Sequence, residues 1–292
     1  MIDMFNKITI LGVGLLGASF ALALKKNGLC RTITGFGRNR ENLQRAKERN
    51  IIDSFEQDPA AACMDADLIM LSAPVGSFPG LVKSIAPALK KGSVLTDVGS
   101  VKGILVREIE KMMPKDVHYI GGHPIAGSDR SGIDSANSEL FRNARCVITP
   151  TENSDPSSLD KIQNLWKALG SEIIILDPEE HDRIYASVSH LPHLIAYAMV
   201  NTVAEMNRSY LDFSGKGFMD STRIACSSEE LWNDICLLNR DNIIETLAVF
   251  QKTLDMLGQY LKTGDSDSLK AEFRKARILR ENIGSEEKYW IG

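Results

Sequence analysis

The chain has 292 residues, 43% of them apolar and 25% charged, with a net charge of −4. At about 150 residues per domain this predicts one large domain or two, able to bury a core without disulfide staples. The charge balance lacks the basic excess of a nucleic-acid binder, and no apolar run approaches the roughly 18 residues of a membrane span.

The five cysteines (Cys30, Cys63, Cys146, Cys226 and Cys236) are widely spaced and contain no Cys-x-x-Cys pair. That usage predicts reduced thiols in a cytoplasmic protein. Acidic and polar residues follow Met1 in place of an apolar leader, so no secretory signal is expected.

Taken in chain order, Lys7 to Leu11 is a short apolar run that stops at Gly12-Val13-Gly14-Leu15-Leu16-Gly17 and leads into Ala18 to Leu24. The pattern predicts strand, glycine turn and helix, the fingerprint of a Rossmann-type dinucleotide site. Gly12 would make the turn, Gly14 would admit the pyrophosphate, and Gly17 would bring the helix close to the strand. The second strand, Thr32 to Phe36, ends at Gly37-Arg38-Asn39-Arg40. NAD-selective sites usually carry Asp or Glu there to hold the ribose 2′-hydroxyl. With Gly37 in that place and Arg38 and Arg40 beside it, a 2′-phosphate would be accommodated, so NADP is favoured over NAD. The alternative makes both arginines solvated charges at a helix start.

Strands alternate with helices onward, as a parallel, helix-covered sheet requires. Asp67 to Val75 reads as a buried strand whose end, at Ala73-Pro74, would border the cofactor. Ser93 to Ser100 and Val117 to Gly121 follow, and the second runs on to His123. Three strand tips would then form one crevice, with Ser100 and His123 facing each other across it. His123 is the candidate general base, because imidazole exchanges a proton near neutrality. Pro124 restricts it to extended backbone. Cys146 to Thr149 and Glu172 to Leu176 complete the strands, which places the dinucleotide-binding domain at residues 1–178.

From 179 to 292 the pattern is helical, predicting an all-α second domain. Ser189-His190-Leu191-Pro192-His193 opens it. A His-x-x-His pair can ligate metal, but no third ligand stands at a telling spacing, so no metal is expected and a pocket-mouth pair is preferred. Asp220-Ser221-Thr222-Arg223-Ile224-Ala225 holds an arginine that is either a surface charge or a bidentate grip on a substrate carboxylate. Ile243, Leu247, Phe250, Leu254, Leu257 and Leu261 recur in alternating steps of four and three. Such a seam either packs within one chain or is shared between two, and a helical half too thin to form its own globule favours a homodimer. The basic helix through Phe273, Arg274, Arg277 and Arg280 reads as a solvated face, and the tail ending in Tyr289-Trp290-Ile291 is unassigned.

The glycine fingerprint, Asp97-Val98-Gly99-Ser100-Val101-Lys102, Gly122-His123-Pro124-Ile125-Ala126-Gly127, Ser189 to His193 and Asp220 to Ala225 stand in one order between Lys7 and Arg280. Together they resemble the prephenate/arogenate dehydrogenase family of tyrosine biosynthesis. The resemblance implies oxidative decarboxylation of prephenate to 4-hydroxyphenylpyruvate with hydride transfer to NAD(P), or of arogenate to tyrosine. It also implies that His123 takes the ring hydroxyl proton, Ser100 orients His123 and the hydroxyl, and Arg223 binds a substrate carboxylate. His193 would shape that pocket and Trp232 line or support it.

Two places depart from the family pattern. Gly37 stands where many relatives are acidic. Asp129 stands where some have Glu, and a carboxylate there would favour the ammonium of arogenate or affect inhibition by tyrosine, unless it is a structural loop residue. No chorismate mutase segment precedes Met1, and the stretch after Leu261 is too short for a regulatory domain, so a monofunctional enzyme is expected. A β-hydroxyacid dehydrogenase or an imine reductase is the competing enzyme class, and a cofactor-sensing regulator the competing non-enzyme. The first would not place a His after the last strand, and the second would not retain the polar set.

Overall fold

A computed structural model describes residues 4–127 and 132–283. Contacts divide the chain into two compact units, one ending at Ile243 and the other starting at Ile244.

The larger unit is organised by eight strands: β1 (Phe5–Leu11), β2 (Cys30–Phe36), β3 (Ser54–Glu56), β4 (Leu68–Leu71), β5 (Val94–Asp97), β6 (His118–Pro124), β7 (Arg145–Thr149) and β8 (Glu172–Ile175). They lie in the order β3-β2-β1-β4-β5-β6-β7-β8. The first six are parallel, and the order reverses between β1 and β4, where a doubly wound sheet opens its ligand crevice. The Rossmann-type sheet is parallel through β6 and departs from that pattern at β7, which pairs antiparallel with β6, while β8 is parallel to β7. A parallel neighbour needs a helical crossover, and among the described residues between β6 and β7 only the short 3₁₀ turn Ile133–Ser135 intervenes. The edge strand β3 has three residues, too few for alternation to reveal.

Helices α1 (Leu15–Asn27), α2 (Arg40–Glu48), α3 (Pro59–Cys63), α4 (Phe78–Ile85), α5 (Gly103–Glu110) and α6 (Pro156–Ala168) follow the strands. The period-2 geometry of β4 shows why both faces are covered. Leu68 and Met70 join the layer containing Phe20 and Trp166, whereas Ile69 and Leu71 join the layer with Phe78 and Val82. All four β4 side chains are buried, as a central parallel strand requires.

After β8 the chain is helical: α7 (Pro178–Tyr185), a π-turn at Ala186–His190, α8 (Leu191–Asn207), α9 (Lys216–Thr222) and α10 (Glu229–Leu238). The second unit begins within α11 (Arg240–Thr263) and includes α12 (Ser266–Asn282). Its apolar side chains stay largely uncovered, with Val249 67%, Leu254 50%, Leu261 69% and Phe273 60% exposed. No described helix is long and apolar enough to cross a membrane. The tail through Tyr289-Trp290-Ile291 lies outside the described residues.

Candidate active site

The first element of the site is made by backbone. Gly12 has φ +110, and a Cβ there would stand 2.6 Å from the backbone of Ser72 and Ala73. The first turn and the β4 tip, with Ala73 and Pro74, are therefore pressed together. A Cβ at Gly17 would meet the Gly12 carbonyl at 2.2 Å, whereas one at Gly14 meets nothing within 4 Å, so the backbone there is open to a ligand. Helices α2, α3, α6 and α7 start on Asn39, Asp58, Asp155 and Asp177, whose side chains accept from their first turns. Helix α1 starts on Gly14 with no side-chain cap and no acidic residue in its first turn. Its free N–H groups and positive dipole end suit a pyrophosphate, so the residues present fit a dinucleotide.

At the β2 end, Gly37 is followed by exposed Arg38 and Arg40. Arg40 opens α2. A cation at a helix N-terminus opposes the dipole, so this arginine does not serve the helix and is available to a ligand anion. A Cβ at Gly37 would touch only Leu43, at 3.4 Å or more.

The second element is made by side chains. Asp97, at the tip of β5, is fully buried and accepts from the N–H of Gly99 and Gly122 and from the hydroxyl of Tyr119, each at 2.9 Å. Lys102 is likewise fully buried and ion-paired with Asp97. Burial, with the Asp97 charge second, holds the Tyr119 hydroxyl well above its usual value, so it stays a donor. This cluster fixes β6 one residue before His123 and the Ser100 loop at its start. The N–H groups of Lys102 and Gly103, at the start of α5, donate to the two oxygens of Asp182 at 2.8 Å each. Asp182 thereby caps α5 from α7.

His123 is buried, 9% exposed, on the last residues of β6. Its Nδ1 lies 2.8 Å from Nε2 of His181, whose Nδ1 lies 2.8 Å from Oδ1 of Asp182. The Tyr185 ring closes over both, with centroids 4.8 Å from His123 and 4.5 Å from His181. Burial holds His123 well below its ordinary value, with His181 and Lys102 adding to the shift, and pushes His181 down to about 2. Both imidazoles are therefore neutral at pH 7, the form a base must have.

Ser100 is half-buried at the β5 tip. Among the described residues it makes no hydrogen bond, and the Nδ1 of His123 is held by His181 instead of Ser100. His193 stacks on the Trp232 indole, with centroids 3.6 Å apart and planes at 23°, and its Nδ1 reaches the Ser189 carbonyl at 2.9 Å. Burial lowers the His193 pKa, and the charge of Arg223 adds to the shift, placing that guanidinium in electrostatic reach. Arg223 is exposed at the start of a 3₁₀ turn after α9. On α10, two residues beyond Trp232, Asp234 accepts from the N–H of Gly76 at 3.2 Å. One helix thus supports the His193 wall and touches the turn after Pro74.

His190 and His193 serve different partners. His190 is fully buried, with its Nδ1 3.1 Å from the Asn239 amide, which also donates to the Asp182 carbonyl at 2.8 Å. Burial pushes His190 to about 4. Among the described residues no three His, Cys, Asp or Glu converge as metal ligands. Asp129 lies outside the described residues.

Sequence reasoning missed His181, Asp182, Tyr185 and Asn239, and it quoted Asp97 and Lys102 without a role for either. One signal was available: the chain holds only five histidines, so an adjacent His181-Asp182 pair at a helix start merited the scrutiny given to His190 and His193.

The fold and crevice define an NAD(P)-dependent dehydrogenase. The family described as prephenate dehydrogenase, nucleotide-binding domain, matches residues 20–175, and its dimerization domain matches residues 177–275. The chain belongs to the prephenate dehydrogenase family. It is 30% identical to the prephenate dehydrogenase of Bacillus subtilis, over 99% of this chain and 79% of that one. It is 31% identical to the cyclohexadienyl dehydrogenase of Zymomonas mobilis, over 94% of this chain and 95% of the relative. The crystal structure of the prephenate dehydrogenase of A. aeolicus, in complex with hydroxyphenyl propionate and NAD+, superposes with a TM-score of 0.90. It is 33% identical, covering 95% of this chain and 98% of its own.

Proposed function

We propose that this enzyme converts prephenate to 4-hydroxyphenylpyruvate with NADP as the preferred acceptor. The observation that carries the reading is a buried, neutral His123 on the last residues of a strand in the same sheet as the strand that ends at the Gly12 to Gly17 turn, with Trp232 stacked on His193 and the charge of Arg223 within electrostatic reach of His193. The cofactor, when bound, takes the hydride from the ring carbinol carbon. His123 accepts the hydroxyl proton as electron density leaves oxygen, which a neutral imidazole does efficiently. Ser100, on the neighbouring strand tip, orients the hydroxyl. Arg223 holds a substrate carboxylate with its planar fork, and His193, kept flat by Trp232, shapes the pocket. Loss of carbon dioxide is then driven by aromatisation of the ring. Arg38 and Arg40 take the 2′-phosphate that no carboxylate at Gly37 repels.

The cofactor domain spans residues 1–178, and the helical domain, residues 179–292, supplies substrate-binding residues and pairs two chains. The exposed Leu254 and Leu261 on the seam and the match to a dimerization-domain family support the homodimer. The wide spacing of the five cysteines, with no Cys-x-x-Cys pair, supports a reducing, cytoplasmic setting.

Initial rates of reduced-nicotinamide absorbance with prephenate or arogenate and NAD or NADP test the reading. Prephenate with NADP should give the highest kcat/KM; a higher value with arogenate would move the substrate assignment, and a higher value with NAD the cofactor assignment. Arg223→Ala should raise the KM for prephenate about tenfold or more, and an unchanged KM would remove Arg223 from the carboxylate site.

A further inference from the structure

We propose that His181 and Asp182 are positioning residues that hold His123 as its Nδ1–H tautomer, leaving the lone pair on Nε2 to take the substrate proton and return it within the same turnover. The inference rests on the reading of His123 as the base.

The chain of acceptors runs in one direction. Burial raises the Asp182 pKa, and against it both oxygens receive backbone N–H groups, from Lys102 and Gly103, which with the Lys102 charge favour the ionised form. A carboxylate has no proton to donate, so the 2.8 Å contact requires Nδ1–H on His181. A neutral His181 then has a bare Nε2, and the next 2.8 Å contact requires Nδ1–H on His123. The remaining nitrogen, Nε2 of His123, is left as the acceptor. Imidazole tautomers differ little in energy in water, so an outside partner decides which nitrogen is basic. The residues packed around the pair are Lys102, just before α5 and committed to Asp97, the neutral His190, and Tyr185 of α7, whose hydroxyl burial holds above its usual value.

The stoichiometry of the reaction suits so closed an arrangement. As the ring C–H bond breaks and its electron pair leaves as hydride, the ring O–H bond also breaks, and its proton goes to Nε2 of His123. The C–COO⁻ bond then breaks, and its electron pair aromatises the ring as a phenolate. The phenolate recovers the proton from Nε2, so prephenate and oxidised cofactor give 4-hydroxyphenylpyruvate, carbon dioxide and reduced cofactor with no proton released. His123 lends its lone pair briefly and needs no exit for the proton to solvent. The Nδ1–H bond to His181 keeps the transient imidazolium oriented until the proton goes back.

The test begins on the ligand-free enzyme, with histidine side chains labelled with nitrogen-15 and His123 assigned by its absence in His123→Asn. The expected spectrum has the proton on Nδ1 of His123, and a proton on Nε2 would overturn the proposal. The enzyme variants His181→Leu, which removes the acceptor, and His181→Gln, whose carbonyl replaces it, give the second readout. The leucine variant should lose about 10²-fold in kcat with little change in the KM of prephenate or in cofactor affinity, and glutamine should recover most of it. Equal losses in both variants, or none in either, would sink the proposal. Full turnover in His123→Asn would instead sink the reading of His123 as the base, leaving the tautomer measurement to stand alone.

Discussion

The two sides of the crevice are built from different material. The cofactor side is backbone: Gly12, Gly14 and Gly17 act by lacking a Cβ and by presenting the uncapped N–H groups of α1. The proposed substrate side is a buried chain of side chains, His123, His181 and Asp182, joined by two 2.8 Å contacts, the first across 58 residues of sequence. A backbone site is encoded locally, within a few consecutive residues. A side-chain network exists only once distant elements have packed, and each of its members is costly if left alone.

The largest expected effect falls on the side-chain wall. His123→Asn should lower kcat by about 10²–10⁴ while cofactor affinity, read by fluorescence titration, stays the same. A matching loss of cofactor binding would show that the two sides are not separable. Next is the support beneath that wall. Lys102→Met leaves the fully buried Asp97 without its partner, and such a break costs about 3–5 kcal/mol, measurable by urea unfolding. A cost below about 1 kcal/mol would mean that Tyr119 and the two backbone donors suffice for Asp97.

Acid should weaken the same wall before it reaches the glycine turn. His181 and His190 titrate at about 6.5 when unfolded, but burial holds them at about 2 and about 4 when folded. With folded values depressed, their contribution is complete above about pH 6.5 and is lost as pH falls through the folded values. In that window each removes about 1.4 kcal/mol per pH unit. Melting temperatures at pH 7 and pH 5 should therefore differ, and His181→Gln should reduce the difference; a flat profile would show that these histidines take up protons without cost. The smallest effect belongs to the backbone side. Gly37→Asp has room, since a Cβ there meets only Leu43 at 3.4 Å. The added carboxylate should move the NADP-to-NAD preference about tenfold toward NAD, about 1.4 kcal/mol. No movement would place the 2′-group away from the β2 tip.

What the amino-acid sequence disclosed follows the same division. Strands β1, β2, β4, β5 and β6, the glycine turn and the helical second half were legible because each is a run of neighbouring residues with its own period. His123 was legible because it stands in a glycine-rich stretch at a strand end. The reversal at β7 was not, because direction depends on the connection and leaves no mark on the alternation. His181 and Asp182 were not legible either, since Pro178-Glu179-Glu180-His181-Asp182 reads as an ordinary acidic helix start. Their role comes from α7 packing against α5, as the bonds from Lys102 and Gly103 to Asp182 show. Ser100 lies just past the end of β5, and the Nδ1 of His123, which Ser100 was expected to orient, is held by His181.

The antiparallel partner of β6 has one more effect. Strand β6 pairs with β5 only through Ile120, and Gly121 to Pro124 project beyond that ladder, where β7 pairs with them and sets His123 opposite Val147. Residues just past a parallel strand usually belong to a loop, whose ordering at ligand encounter costs about 1–2 kcal/mol of backbone entropy per residue. Here the β7 ladder settles that ordering during folding. The proposed base is therefore already part of a sheet before any substrate arrives.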